Sequence, residues 1–226
     1  MSKPLFAIRP EPGLSATITA GQRQGLDIFG EPLTQIRPVA WEMPDPDSFD
    51  GILLGSANAL RHGGSALERL REKPAYVVGK ATADAARMAG FTIGGVGSGG
   101  LQGLLDELAG QELVLLRIAG AEHVPLNPPD GITLLTGIAY ESVPCPISPD
   151  FAARLQGGGV VLLHSAAAAC HFAAECQRVG IERNGLALAA LGPRIAAAAG
   201  EGWAACRSAD IPQEDALLAL ATDMCQ

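Results

Sequence analysis

The stretch Ile52-Leu-Leu-Gly-Ser-Ala-Asn-Ala59 recurs, with three changes, as Val161-Leu-Leu-His-Ser-Ala-Ala-Ala168, 109 residues further along the chain. Each copy is a short apolar run that gives way to Ser-Ala and an Ala-rich segment, the pattern of a buried strand turning into a helix. The match continues: Val78-Gly-Lys-Ala-Thr-Ala-Asp-Ala-Ala86 answers to Leu191-Gly-Pro-Arg-Ile-Ala-Ala-Ala-Ala199, and Leu104 to Leu108 answers to Leu217 to Ala221. A looser match sets Phe6-Ala-Ile-Arg9 against Val114-Leu-Leu-Arg117, an apolar run ending in arginine. The chain reads as two copies of one α/β unit.

Working outward, Leu5 to Ile8, Ile52 to Leu54, Tyr76 to Val78, Leu113 to Leu116, Val160 to Leu163 and Leu186 to Ala190 read as buried strands. Ala57 to Leu70, Ala81 to Ala89, Leu101 to Leu108, Ala166 to Val179, Arg194 to Ala199 and Glu214 to Ala221 read as helices. Such alternation predicts an α/β fold with parallel sheets. Pro32 to Trp41 and Ile138 to Ser148 fall at similar places in the two copies and are rich in Pro and β-branched residues, as extended connectors are. If both are crossovers, the domains are discontinuous: 1–35 plus 147–226 form one and 41–138 the other. The connectors then lie near 36–40 and 139–146, and the two strands leave a cleft.

Composition narrows the function. The 226 residues are 48% apolar, enough for two modest cores. Lys and Arg total 16 against 24 Asp and Glu, and the basic residues are scattered, which disfavours nucleic-acid binding. No stretch reaches the roughly 18 uninterrupted apolar residues of a spanning helix, and Met1 to Gly13 lacks a signal-peptide core. A cytoplasmic, non-membrane protein is expected. The five cysteines (Cys145, Cys170, Cys176, Cys206, Cys225) are odd in number and irregularly spaced, as reduced thiols are.

Arg9-Pro10, Phe49-Asp50, Ser56-Ala57-Asn58-Ala59, Val78-Gly79-Lys80-Ala81-Thr82-Ala83, Gly90-Phe91, Leu101 to Leu108, Tyr140 and Ser165 resemble, in order and spacing, the uroporphyrinogen-III synthase family. The resemblance runs over nearly the whole chain. It implies a lyase of tetrapyrrole and haem biosynthesis that closes linear hydroxymethylbilane into uroporphyrinogen III, inverting the last ring and releasing water, with no metal and no organic cofactor. It also implies two flavodoxin-like α/β domains joined by a two-stranded connector, with the active site in the cleft. The resemblance also implies a monomer that makes transient contact with the preceding pathway enzyme. Two departures stand out: Ile118-Ala119 precede Gly120 where the family often has a glycine directly, and Pro193-Arg194-Ile195 replace the Lys-Ala-Thr of the first copy. They leave room for an alternative, a tetrapyrrole-binding member without turnover.

The substrate implied carries eight carboxylates, so a protein of net charge −8 must attract it with local donors. Strand-to-helix turns offer unpaired N–H groups and a partial positive charge, beyond the carboxyl ends of strands where α/β sheets bind ligands. The candidates are Ser56, Ala57 and Asn58; Gly79, Lys80 and Thr82; Ser165 and Ala166; and Gly192 and Arg194, although Ser56, Thr82 and Ser165 suit plain helix capping as well. Arg9 and Arg117 end expected strands and either face the cleft or hold interdomain contacts. Tyr140 resembles the family's late tyrosine and is the candidate acid for departure of the hydroxyl. Gly95-Val-Gly-Ser-Gly-Gly100 fits a dinucleotide fingerprint but lacks a long preceding strand and a following acidic strand end, and reads as a flexible loop. His62, His123, His164 and His171 lack metal-ligand spacing.

Overall fold

The structure, a computed structural model, describes residues 3–225. Met1, Ser2 and Gln226, which the first expected domain includes, lie outside them. In chain order the elements are β1 (Leu5–Ala7), α1 (Gly13–Arg23), β2 (Ile28–Gly30), β3 (Thr34–Pro38), β4 (Gly51–Leu54), α2 (Asn58–His62), β5 (Ala75–Val78), α3 (Lys80–Met88), β6 (Ile93–Gly97) and α4 (Gly100–Glu107). There follow β7 (Leu113–Gly120), β8 (Ile132–Pro144), α5 (Pro149–Gln156), β9 (Gly159–Leu163), α6 (Ala166–Val179), β10 (Leu186–Ala190), α7 (Pro193–Ala198), β11 (Ala205–Ser208) and α8 (Glu214–Met224).

The described residues divide into two compact units, 3–35 with 143–225, and 36–142. It passes from one unit to the other within β3 and again within β8. The first unit holds a sheet in the order β11-β10-β9-β1-β2, with its strands parallel. Alternate residues of each strand serve opposite faces: Phe6, Val161 and Leu188 join one buried cluster, while Leu5, Val160 and Ala187 join the other. Burial on both faces is why these strands read as continuous apolar runs rather than as alternating ones. The second sheet has the order β3-β8-β7-β4-β5-β6, with β4 through β8 parallel. Ile52 and Leu116 pack on one side of it, Leu53 and Leu115 on the other.

Both orders contain a reversal. In the first unit the chain starts at β1 and builds outward in both directions, so β1 and β9 flank the switch point; in the second unit β4 and β7 flank it. Such points open a crevice at the carboxyl ends of the strands, because the connections on either side leave in opposite directions.

Three local expectations are corrected. The helix expected over Ala57 to Leu70 is broken: α2 stops at His62, and a 3₁₀ turn takes over at Ser65–Leu70. Gly64 makes the break by leaving the helical region at φ +72, directly after Gly63, whose amide still donates to the Ala59 carbonyl at 2.9 Å. The glycine run near Gly95 is no flexible loop, because Gly94, Gly95 and Gly97 lie in the edge strand β6. A Cβ on Gly94 would meet Tyr76 at 3.0 Å, and one on Gly97 would meet Leu104 at 2.8 Å. The glycines let neighbouring side chains press onto the sheet. Arg117 does not end its strand, for β7 continues three residues further to Gly120.

Candidate active site

A cavity of about 330 Å³ opens at the switch point of the second unit. Gly55 and Ser56 contribute from the end of β4, Arg117 to Gly120 from β7, Tyr140 and Ser142 from β8, and Glu122 to Val124 from the segment after β7. Parallel pairing sets this geometry: Leu53 stands opposite Arg117 and Leu54 opposite Ile118, so the turn after β4 lies beside the last residues of β7.

Tyr140 reaches the cavity through a register slip. The β7–β8 pairing runs in step from Leu113 and Ile132 to Ala119 and Ile138, then skips a residue, so that Gly120 faces Tyr140. A Cβ on Gly120 would stand 2.6 Å from Cε2 of Tyr140 and 3.0 Å from its Cζ. The glycine is thus required by the tyrosine ring. The amide of Ala121 donates to the Tyr140 carbonyl at 2.9 Å and holds the far side of the slip. The ring of His62, the last residue of α2, lies 6.3 Å from the Tyr140 ring centre. Burial, and then the charge of Arg61, lower the His62 pKa below the ordinary imidazole value.

Arg117 is 6% exposed. Its Nη1 donates to the Val124 carbonyl at 2.8 Å, and its Nε is buried with no partner. Burial lowers its pKa and the nearby Tyr140 opposes that change, yet a guanidinium remains charged. A buried cation facing a neutral carbonyl, with one donor unmet, is a half-built receptor for an anion. Ser56 Oγ, one residue before the N-cap Ala57, accepts the Asn58 amide at 3.2 Å and closes a local turn, and the Asn58 side chain accepts from Arg61 at 3.0 Å. Ala57 is buried at the start of the same turn.

The first unit fills the matching place differently. Arg9, just past β1, donates to Glu214 at 3.1 Å. Thr17 donates to the same carboxylate at 2.5 Å, and His164, which follows β9, meets it at 3.1 and 3.3 Å. Burial alone would raise the Glu214 pKa, but the hydrogen bonds from His164 and Thr17, with the electrostatic pull of His164 and Arg9, hold it below the ordinary value. Arg9 is therefore committed to an internal carboxylate, with its guanidinium laid across Gly13. Nothing in the sequence tied together Arg9, Thr17, His164 and Glu214, which are far apart along the chain.

The other candidates separate into two groups. Ser165, Ala166, Gly192 and Arg194 share a second cavity, of about 440 Å³, with Pro212. Ser165 also caps α6 by accepting the Ala168 amide at 3.1 Å. Gly79, Lys80 and Thr82 line neither cavity: Gly79 precedes α3 with φ +78, Lys80 is exposed, and Thr82 is buried in the first turn of the helix. Sequence reasoning missed Glu122, His123 and Ser142, which follow or flank the slip that it did not foresee.

A sequence model of the uroporphyrinogen-III synthase family, HemD, matches residues 15–219. The chain belongs to this family. Uroporphyrinogen-III synthase is a cyclising lyase of haem biosynthesis, converting the linear tetrapyrrole hydroxymethylbilane to uroporphyrinogen III with inversion of the last ring and loss of water. Among solved structures, uroporphyrinogen-III synthetase from Helicobacter pylori matches with a TM-score of 0.69 at 15% identity, covering 98% of this chain and 99% of that one. A mutant uroporphyrinogen III synthase from Thermus thermophilus matches with 0.52 at 16% identity, covering 96% of each chain. At these identities the likeness carries the fold, two α/β units with parallel sheets. No curated protein matches the sequence. Among the described residues no helix is long and apolar enough to cross a membrane.

Proposed function

We propose that the cyclisation is carried out at the switch point of the second unit, with Arg117 taking a substrate carboxylate and Tyr140 acting as the acid. The observation that carries this is the contrast between the two units: Arg9, just past β1, has Glu214 as its internal counter-ion, whereas Arg117, within the corresponding strand β7, has among the described residues only the Val124 carbonyl. The carboxylate that Arg117 lacks is then supplied by the ligand, which carries eight.

In the first step the Tyr140 phenol gives its proton to the hydroxyl of the hydroxymethyl group as the C–O bond breaks. Water leaves, and the pyrrole nitrogen pair completes an azafulvene cation. The substituted carbon of the last ring attacks this cation to form a spiro intermediate. Bond migration and closure follow, and the proton lost on rearomatisation returns to the phenolate. Holding the last ring so that this carbon attacks, rather than the unsubstituted carbon on the other side of the ring nitrogen, is a matter of position, so the fixed ring of Tyr140 and the fixed charge of Arg117 matter more than acid strength. Ser165 and Arg194, around the cavity of the first unit, are proposed to hold further carboxylates. We also propose that the working form is a cytoplasmic monomer that receives its substrate in transient contact with the preceding pathway enzyme; the five free thiols support a reducing compartment.

Tyr140→Phe tests the assignment. It should leave the fold intact and lower kcat roughly tenfold to a hundredfold, at or below the low end of general-acid contributions, with little change in KM. An unchanged kcat in the folded variant would reduce Tyr140 to a packing residue.

A further inference from the structure

We infer that the segment Ala121 to Asn127 is a gate over Arg117, and that Gln102 of α4 is the positioning residue that keeps it shut. This inference rests on the role proposed above for Arg117. The Nε of Arg117 is sealed from solvent and unpartnered, while its Nη1 is held by the Val124 carbonyl. A carboxylate that engages a guanidinium through two parallel hydrogen bonds needs adjacent donors presented together. A ligand carboxylate can take the Nη1 hydrogen that Val124 now holds only if that carbonyl moves away, and the cavity of about 330 Å³ lies at the low end for ligand sites. A carboxylate seated there therefore displaces this wall.

The segment is built to do so. Its tip has almost nothing to pack on, Val124 being 72% exposed. It is tied down at three places: His123 Nδ1 lies 3.0 Å from the Gly120 carbonyl, Arg117 grips Val124, and Gln102 forms a reciprocal pair with the Asn127 backbone. In that pair Gln102 Oε1 accepts the Asn127 amide at 2.9 Å, and its Nε2 donates to the Asn127 carbonyl at 2.8 Å. Leu126, next to this latch, packs against a buried cluster and anchors the end of the gate. Binding and latching thus compete: a carboxylate on Arg117 replaces the Val124 carbonyl, and the apparent affinity is reduced by the fraction of molecules whose gate is shut.

The consequence is an unusual direction of effect. Gln102→Ala removes the latch without touching the cavity, so it should lower the KM for hydroxymethylbilane by roughly threefold to tenfold, the size expected for one or two modest hydrogen bonds, with no rise in kcat. Amide exchange over residues 122–127 should quicken in the ligand-free protein. Faster exchange with an unchanged or raised KM would show that the segment does not stand in the ligand's way. Unchanged exchange would show that Gln102 holds nothing. Because the exchange arm needs no turnover, it tests the latch even if the wild-type protein fails to form the type III isomer, which would instead remove the proposed role of the cavity.

Discussion

Substituting Gly120 by alanine should slow the enzyme without unfolding it. Gly120 has an ordinary backbone conformation, absent from the glycines with positive φ, so alanine adds no backbone strain. The new methyl would, however, lie 2.6 Å from Tyr140 Cε2, where ordinary contact begins near 3.4 Å. The ring must therefore move by about 0.8 Å or the strand must give. Overpacking of this kind costs about 1–3 kcal/mol of stability, which leaves a typical domain folded. A misplacement of about 1 Å can cost around a hundredfold in rate, so kcat should fall by roughly twentyfold to a hundredfold with KM changed little. The assay is steady-state turnover of hydroxymethylbilane beside a thermal melt, repeated in the Tyr140→Phe background. If the methyl acts by displacing the phenol, it should cost far less once the hydroxyl is gone, because coupled residues are not additive. Wild-type turnover in Gly120→Ala, or an equal loss in both backgrounds, would refute the link between this glycine and the acid.

Arg117→Met, which keeps the packing and removes the charge, should raise KM by roughly tenfold to a hundredfold, the value of a hydrogen bond to a charged group; titration by initial rates checks it, and an unchanged KM would move the carboxylate site elsewhere. Acid stability should trace to Glu175, whose pKa is lowered to about 2, chiefly by its hydrogen bond from Arg178, against the opposing effect of burial and with help from the Ile147 amide. A carboxyl depressed in this way contributes stability above its ordinary range, and that contribution is lost as pH falls from about 4.5 towards 2. Urea midpoints of Glu175→Gln should therefore lie below wild type at neutral pH and converge with it near pH 2, and parallel curves over that range would contradict the assignment.

Much of the fold was legible because parallel strands buried on both faces leave unbroken apolar runs, as at Val160 to Leu163, and because the two copies repeat the strand-to-helix turn at Ser56 and Ser165. The helix α1 escaped notice since it buries little: Leu14, Thr17 and Gly21 are its inward residues, and only one of them is large and apolar. The upper half of β7 and the first half of β8 escaped because Arg117, Thr133 and Thr136 interrupt the apolar pattern, although Arg117 is buried there by its neighbours. Of the four turns that the sequence offered, the one at Ser56 lines the cavity of the second unit with Tyr140, those at Ser165 and Gly192 line the other cavity, and the one at Gly79 lines neither. What sequence could not reveal was partnership. The internal counter-ion of Arg9 lies 205 residues away, and the absence of one for Arg117 is visible only in three dimensions.

The most direct test is the isomer composition of the product when purified protein is given hydroxymethylbilane, compared with spontaneous closure and with Tyr140→Phe at equal concentration. Unaided closure gives the symmetric type I isomer. The wild-type protein should yield predominantly type III, and the slowed variant should yield a mixture in which type I grows as spontaneous closure overtakes it. Type I in the same proportion with and without folded wild-type protein would contradict the assigned activity, and undiminished type III from the variant would contradict the place of Tyr140 in it.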